Sequence, residues 1–202
     1  MPAPCFIVYK AKPPLVDYFS NLGVFAPKLR SLDVSGMILP AETARTISTQ
    51  CPYLEELFAC QTFIKADNGL NNILMLPCLR VAMLEECAVQ CSDLESARFK
   101  LRADGVTFRT LEVLSLSATN VTQLGIRAAV ETYPRLTLLD ISHCDILHAI
   151  SESLVEMAID TLLSDISHGL PNLRFLFLGG SAYAHTIHRV INPSRGAAGH
   201  PI

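Results

Sequence analysis

A chain of 202 residues with net charge −3 and a pI near 6.0 gives no electrostatic reason to bind nucleic acid, and no such partner is expected. Half of its residues are apolar and its mean hydropathy is +0.34, yet no apolar run approaches the length that crosses a bilayer. Seven cysteines, an odd number, speak against a disulfide framework and for reduced, buried thiols in a cytoplasmic or nuclear setting.

The chain opens with Phe6–Tyr9, too short for a signal-peptide core and with no basic residue ahead of it. Pro14–Gly23, with Leu15, Val16, Tyr18, Phe19 and Leu22, reads as one helix, so residues 1–28 are expected to form an N-terminal capping segment. From there a pattern Leu-x-x-Leu-x-Leu recurs, opened by Leu29, Leu54, Leu79, Leu111, Leu136 and Leu173. Three of the five intervals are 25 residues. A fixed period of this size marks units too small to bury their own apolar faces, which must stack on their neighbours. The second and third apolar positions of each unit, such as Leu32 and Val34 or Leu139 and Ile141, are two residues apart and therefore share one face of a short strand.

Another apolar residue follows each strand: Leu39, Ile64, Val89, Val121, Ile146 and, less regularly, Tyr183. Just before it stand Met37, Thr62, Cys87, Thr119, Cys144 and Ser181. A small hydrogen-bonding side chain turned inward there can satisfy loop backbone groups. Met37 cannot, which predicts an irregular first unit. The second half of each unit is expected to be a helix. Ser92 with Glu95 suggests a capping box before Leu94, Ala97 and Leu101. Thr122 suggests a cap for Gln123–Thr132, with Leu124, Ala128 and Ala129 on the apolar face. Pro52, Pro77, Pro134 and Pro171 each stand two residues before an opener, where proline ends a helix and sets an extended approach to the next strand.

Two intervals break the period. Leu79 to Leu111 spans 32 residues, the excess being a basic stretch with Arg98, Lys100, Arg102 and Arg109 around Gly105. Leu136 to Leu173 spans 37, the excess reading as a longer helix, Ser151–His168, ended by Gly169. Its apolar stripe is Leu154, Val155, Ala158, Ile159, Leu162, Leu163 and Ile166; it also carries Glu152, Glu156, Asp160 and Asp165, the first three of which, spaced by four, share an acidic outer face, solvated or turned to a basic partner. Residues 184–202 are expected to form a short helix and a disordered tail rich in Gly, Pro and Ala.

Cys87 and Cys144 at the strand ends, Val121-Thr122-x-x-Gly125-Ile126, and Gln50-Cys51-Pro52-x-Leu54 together resemble the cysteine-containing class of leucine-rich repeats, the F-box-associated and ribonuclease-inhibitor-like group. The resemblance covers about Leu29 to Tyr183. It implies an α/β fold: a curved leucine-rich-repeat solenoid of about six units over residues 29–183, with a parallel sheet on the concave face and helices on the convex face. It also implies binding of another protein. Proteins of this class are commonly substrate-recognition subunits of cullin-type ubiquitin ligases, docked through an F-box to an adaptor. An F-box is a three-helix module, and residues 1–28 offer one helix, so no F-box is recognisable here.

Other chemistries were weighed against packing. His143-Cys144-Asp145 places a nucleophile beside a base, but adjacent residues on an extended chain point apart, so no relay and no enzyme is expected. Cys87-x-x-x-Cys91 and His185-x-x-His188 would have to converge across the stack to hold zinc, and no metal or other cofactor is expected. Gly179-Gly180 lacks a phosphate-loop lysine, so no nucleotide site is expected. The remaining candidate is the outer face of the sheet. One column there holds Ser31, Glu56, Val81, Val113, Leu138 and Phe175; the next holds Asp33, Phe58, Met83, Ser115, Asp140 and Phe177. Around these strands, Glu56, Phe58, Met83, Glu85, Leu138, Asp140, Phe175 and Phe177 are the expected protein-binding residues, unless neighbouring units or the termini cover them. Three roles suit such a face: a non-enzymatic interaction module, the substrate receptor of a ubiquitin ligase, or a fixed subunit of a large assembly.

Overall fold

The computed structural model describes residues 6–8, 19, 21–64, 69–103, 110–144 and 152–179. It is an α/β fold with a seven-stranded parallel sheet. Strands β1 (Phe6–Val8), β2 (Ser31–Asp33), β4 (Glu56–Phe58), β6 (Val81–Met83), β7 (Val113–Ser115), β8 (Leu138–Asp140) and β9 (Phe175–Phe177) lie side by side in chain order. Among the described residues, a second sheet of two strands, β3 (Ile38–Leu39) and β5 (Phe63–Ile64), joins the first two units. Met37 lacks the side-chain bond made by Thr62, Cys87 and Cys144, but it is buried and its N–H donates to the Val34 carbonyl at 3.2 Å, the same backbone turn that Cys87, Thr119 and Cys144 make, so the first unit keeps the backbone of the others. The helices are α1 (Leu22–Phe25), α2 (Ala41–Gln50), α3 (Gly69–Leu74), α4 (Cys91–Ala103), α5 (Gln123–Thr132) and α6 (Glu152–Gly169).

Each strand of the large sheet is only three residues long, too short to persist alone, so its stability must come from its neighbours. The register aligns the central residues into one row, Ile7, Leu32, Leu57, Ala82, Leu114, Leu139 and Leu176. Leu32, Leu57, Ala82, Leu114 and Leu139 are wholly buried, as are Val34, Ala59, Leu84, Leu116 and Ile141 two residues on. They join Ile47, Ile73, Leu94, Ile126 and Ile159 from the helices in a single core. Strand β1 was not expected. Ile7 stands one 25-residue step before Leu32, but Pro4 occupies the opener's place, and without a leucine there the step is not apparent.

The hydrogen-bond ladder continues past the strands. Val34, Ala59, Leu84, Leu116 and Ile141 donate to Phe58, Met83, Ser115, Asp140 and Phe177 carbonyls at 2.7–3.0 Å. Two residues later Gly36, Gln61, Glu86, Ala118 and His143 donate to Cys60, Glu85, Ser117, Ser142 and Gly179 at 2.7–2.9 Å. All five of these later donors are left-handed, with φ of 73°, 55°, 54°, 54° and 58°. That conformation costs a residue with a Cβ about 1 kcal/mol, and the fold accepts it because it aims each amide at the next unit. The inward position that follows is then used as the sequence suggests. Thr62 Oγ1 donates to the Val34 carbonyl at 3.0 Å, Cys144 Sγ to Leu116 at 3.0 Å, and Cys87 Sγ to Ala59.

The proline column marks a turn. Leu54, Leu79, Leu136 and Leu173 donate to the carbonyls of Cys51, Leu76, Tyr133 and Leu170, three residues back, at 3.1–3.3 Å. Proline occupies the second turn position, where its fixed φ fits and no N–H is needed. Pro27 makes a fifth member, since Leu29 donates to Ala26 at 3.1 Å. The buried Tyr133 hydroxyl reaches the Leu74 carbonyl at 3.3 Å, satisfying an acceptor at the end of α3.

Several helix details differ from expectation. Helix α4 starts at Cys91, and Asp93, not Glu95, accepts the Gln90 N–H at 2.9 Å; the carboxylate falls two residues earlier because the helix does. Helix α5 has the expected bounds, but Thr122 makes no side-chain cap and instead meets Cys91 Sγ at 3.0 Å. Leu124 is exposed, and Gly125, Ile126, Ala128, Ala129 and Val130 face inward, so the buried stripe is rotated away from Leu124. A Cβ on Gly125 would lie 3.2 Å from Cys91 Cα, which makes this glycine the means of close approach between α4 and α5. Gly169 does close α6, yet for packing: a Cβ there would sit 2.2 Å from Val130 Cγ1. Ile159, Leu162 and Ile166 are buried as expected, while Leu154 is exposed. Within the N-terminal segment, Phe19 and Leu22 are buried; Pro14–Tyr18 lie outside the described residues, as do Gly105, Arg109, Ile146, Tyr183 and 184–202.

Leu139→Asp should remove more than about 4 kcal/mol and unfold the sheet cooperatively, read by urea denaturation, because a charge enters the centre of the row. Gly36→Ala should cost about 1 kcal/mol although nothing lies within 4 Å of the added methyl, whereas Ala118→Gly should raise Tm by relieving the same strain.

Candidate protein-binding face

Residues flanking the buried row project from the opposite side of the sheet, because successive side chains on a strand alternate. Glu56, Val81, Val113, Leu138 and Phe175 form one register row and Phe58, Met83, Ser115, Asp140 and Phe177 the other. Glu56, Phe58, Met83, Leu138 and Asp140 are half-buried, and Phe175 and Phe177 are 56% and 47% exposed. Of the expected site residues, Phe58 is thus brought beside Met83, Leu138 beside Phe175, and Asp140 beside Phe177. Val81 and Val113, which were not singled out, link them into a continuous apolar row between Glu56 and Phe175. Their signal was present in the alternation, but isolated valines are less conspicuous than phenylalanines.

Polar groups on this face are held by the strand ends. Asp33 Oδ1 accepts the Ser35 N–H and Asp140 Oδ1 the Ser142 N–H, each at 2.9 Å, the same turn in two units. Ser115 is wholly buried, with its Oγ 3.2 Å from Glu85 Oε1 and 3.4 Å from Asp140 Oδ2. Ahead of the strands runs a column of ion pairs, Arg30 with Glu55 and Arg80 with Glu112, each at 2.9 Å. Arg80 holds the Glu112 carboxyl below its usual range. Both pairs are largely exposed and contribute little stability. An open groove of about 460 Å³ follows beside them, lined by Glu112, Arg135, Thr137, Asn172 and Arg174.

Cys144 is buried and bonded to the Leu116 carbonyl, while His143 is exposed on the left-handed turn. Cys87 is bonded to Ala59 and Cys91 Sγ lies 3.0 Å from Thr122 Oγ1. Asp145, His185 and His188 lie outside the described residues. Arg98 pairs with Glu131 at 3.0 Å and Lys100 donates to Asn72 at 3.3 Å, so this part of the basic stretch is tied to neighbouring helices. Asp160 is exposed, and Asp165 lies 3.7 Å from Arg127. Among the described residues no helix is long and apolar enough to cross a membrane.

The sequence matches no protein-family model and no curated protein.

Burial pushes the Cys51 and Cys87 thiols up to about 11, from an ordinary value of 9.0. A raised folded value means that the stability is fully present below pH 9.0 and falls as pH climbs towards about 11, because the unfolded chain ionises first. Iodoacetamide at pH 8 should modify the half-buried Cys78 in the native protein and leave the buried Cys51 and Cys87 intact until denaturant is added, read by peptide mass spectrometry.

Proposed function

We propose that this chain is a leucine-rich-repeat solenoid that binds a partner protein through its open sheet face, without catalysing a reaction. The carrying observation is the continuous half-exposed apolar row of Val81, Val113, Leu138 and Phe175 beside Phe58, Met83 and Phe177. The fold does not need these side chains, since the core is completed by the residues that alternate with them. Contiguous apolar area left outside a finished core is typical of protein contact sites.

The solenoid reading is supported by the chain-order pairing of every strand in the large sheet. Parallel strands stand about 4.8 Å apart, whereas packed helices need about 8–10 Å. Units joined through both must fan out on the helical side, which makes the sheet face concave. A concave face presents its two rows to one bound molecule at once. The described cysteines are free, which suits a reducing cytoplasmic or nuclear setting.

A photo-crosslinking residue installed at Phe58 or Leu138 should form adducts with a discrete protein in native extract. The same residue at Phe99 or Leu124, exposed on the helices, should not. Equal adducts from both sides, or adducts from the helices alone, would contradict the assignment. Phe177→Ala should leave stability within about 1 kcal/mol of the parent while weakening capture of that protein by about tenfold or more. A large loss of Tm would show instead that Phe177 belongs to the core.

A further inference from the structure

Among the described residues, the charged side chains of the open face are all acidic. In the rows that project from the sheet, and in the loops that continue them, stand Asp33, Glu56, Glu85, Glu86 and Asp140, with no lysine or arginine among the described residues. Ahead of the strands stand Arg30 and Arg80, held by Glu55 and Glu112, and Arg174 at the equivalent place before β9, at the far edge of the face from Glu85. At the middle of the face two carboxylates converge on one hydroxyl: Glu85 Oε1 is 3.2 Å and Asp140 Oδ2 3.4 Å from Ser115 Oγ. A hydroxyl has one proton to donate, so it serves one carboxylate at a time. Asp140's other oxygen is already used by Ser142 N–H. On one side of Ser115 the register places Met83, and beyond Asp140 it places Phe177. Across the sheet the order is apolar, anionic, apolar.

We propose that this face, taken as the contact surface described above, accepts a protein segment bearing an arginine or lysine between apolar side chains. The cation bridges Glu85 and Asp140 over Ser115, and the apolar neighbours lie on Met83 and Phe177. A guanidinium suits the position because its planar donors can address both carboxylates. A neutral or acidic segment would desolvate the same pair without a countercharge, so the arrangement selects against it. Two carboxylates are too few to hold a divalent ion, and no group of three metal-ligating side chains occurs among the described residues.

The test is selection of a random twelve-residue phage-displayed peptide library on the full chain, on Glu85→Gln/Asp140→Asn, and on Leu138→Asp. The amides keep the acceptor oxygens used by Ser115 and Ser142, and thermal melts check that each variant folds. Peptides enriched on the parent should carry Arg or Lys flanked by apolar residues. They should bind the amide variant about tenfold more weakly, and the parent more weakly as NaCl rises from about 50 to about 500 mM. Enrichment that Leu138→Asp abolishes but that shows no cationic bias and no salt dependence would overturn this inference and leave the binding face standing. Enrichment unaffected by Leu138→Asp would remove both. Should the amide variant fail to fold, the residue bias and salt dependence on the parent decide the matter.

Discussion

Three-residue strands hold this molecule together only because each is hydrogen-bonded in register to the next. No unit has a core of its own: Leu57 is buried because Leu32 and Ala82 stand on either side of it, and so along the row. The ladder is lengthened by amides beyond the strands, and five left-handed residues are held in place to aim them. Strain of about 1 kcal/mol at each non-glycine member is offset by a hydrogen bond across units and by closure of the loop over the inward Thr or Cys. Local conformation and long-range packing are thus one constraint read at two scales.

That constraint also determines which residues are spare. A strand has two faces, and one is consumed by the core. The residues on the other lie outside the core, apart from the covered Ser31 and Ser115, and are half-buried or exposed. Asp33 and Asp140 hold the strand-end turns, while the apolar character of Val81, Val113, Leu138, Phe175 and Phe177 is not used by the core. The proposed function follows from that surplus, and the proposed preference for a cationic segment follows from the sign of charge on the same face.

Much of this was legible in the spacing of leucines. The openers, the strand centres and the inward Cys and Thr positions occupy their expected places because the Leu-x-x-Leu-x-Leu spacing fixes which residue of each strand faces the core, even across the two longer intervals. What escaped was set by other physics. Strand β1 has no leucine opener, and Pro27 was overlooked though it makes the same turn as its four counterparts. Leu124 was assigned to the core by residue type, but the phase of α5 is decided by how closely Gly125 lets it approach Cys91. Gly169 ends α6 as its place in the sequence suggests, but that its missing side chain also makes room for Val130 is visible only in the packed structure. Pairs such as Glu85 and Asp140, distant in sequence and brought to one hydroxyl, are invisible until the strands are laid side by side.

The alternation of buried and open positions along each strand is the central claim, and hydroxyl-radical footprinting of the native chain measures it residue by residue. The account predicts rapid oxidation of Phe58, Met83 and Phe177 and protection of Leu57, Leu84 and Leu139. Protection of Phe58 and Met83 equal to that of Leu57 in the isolated chain would contradict it.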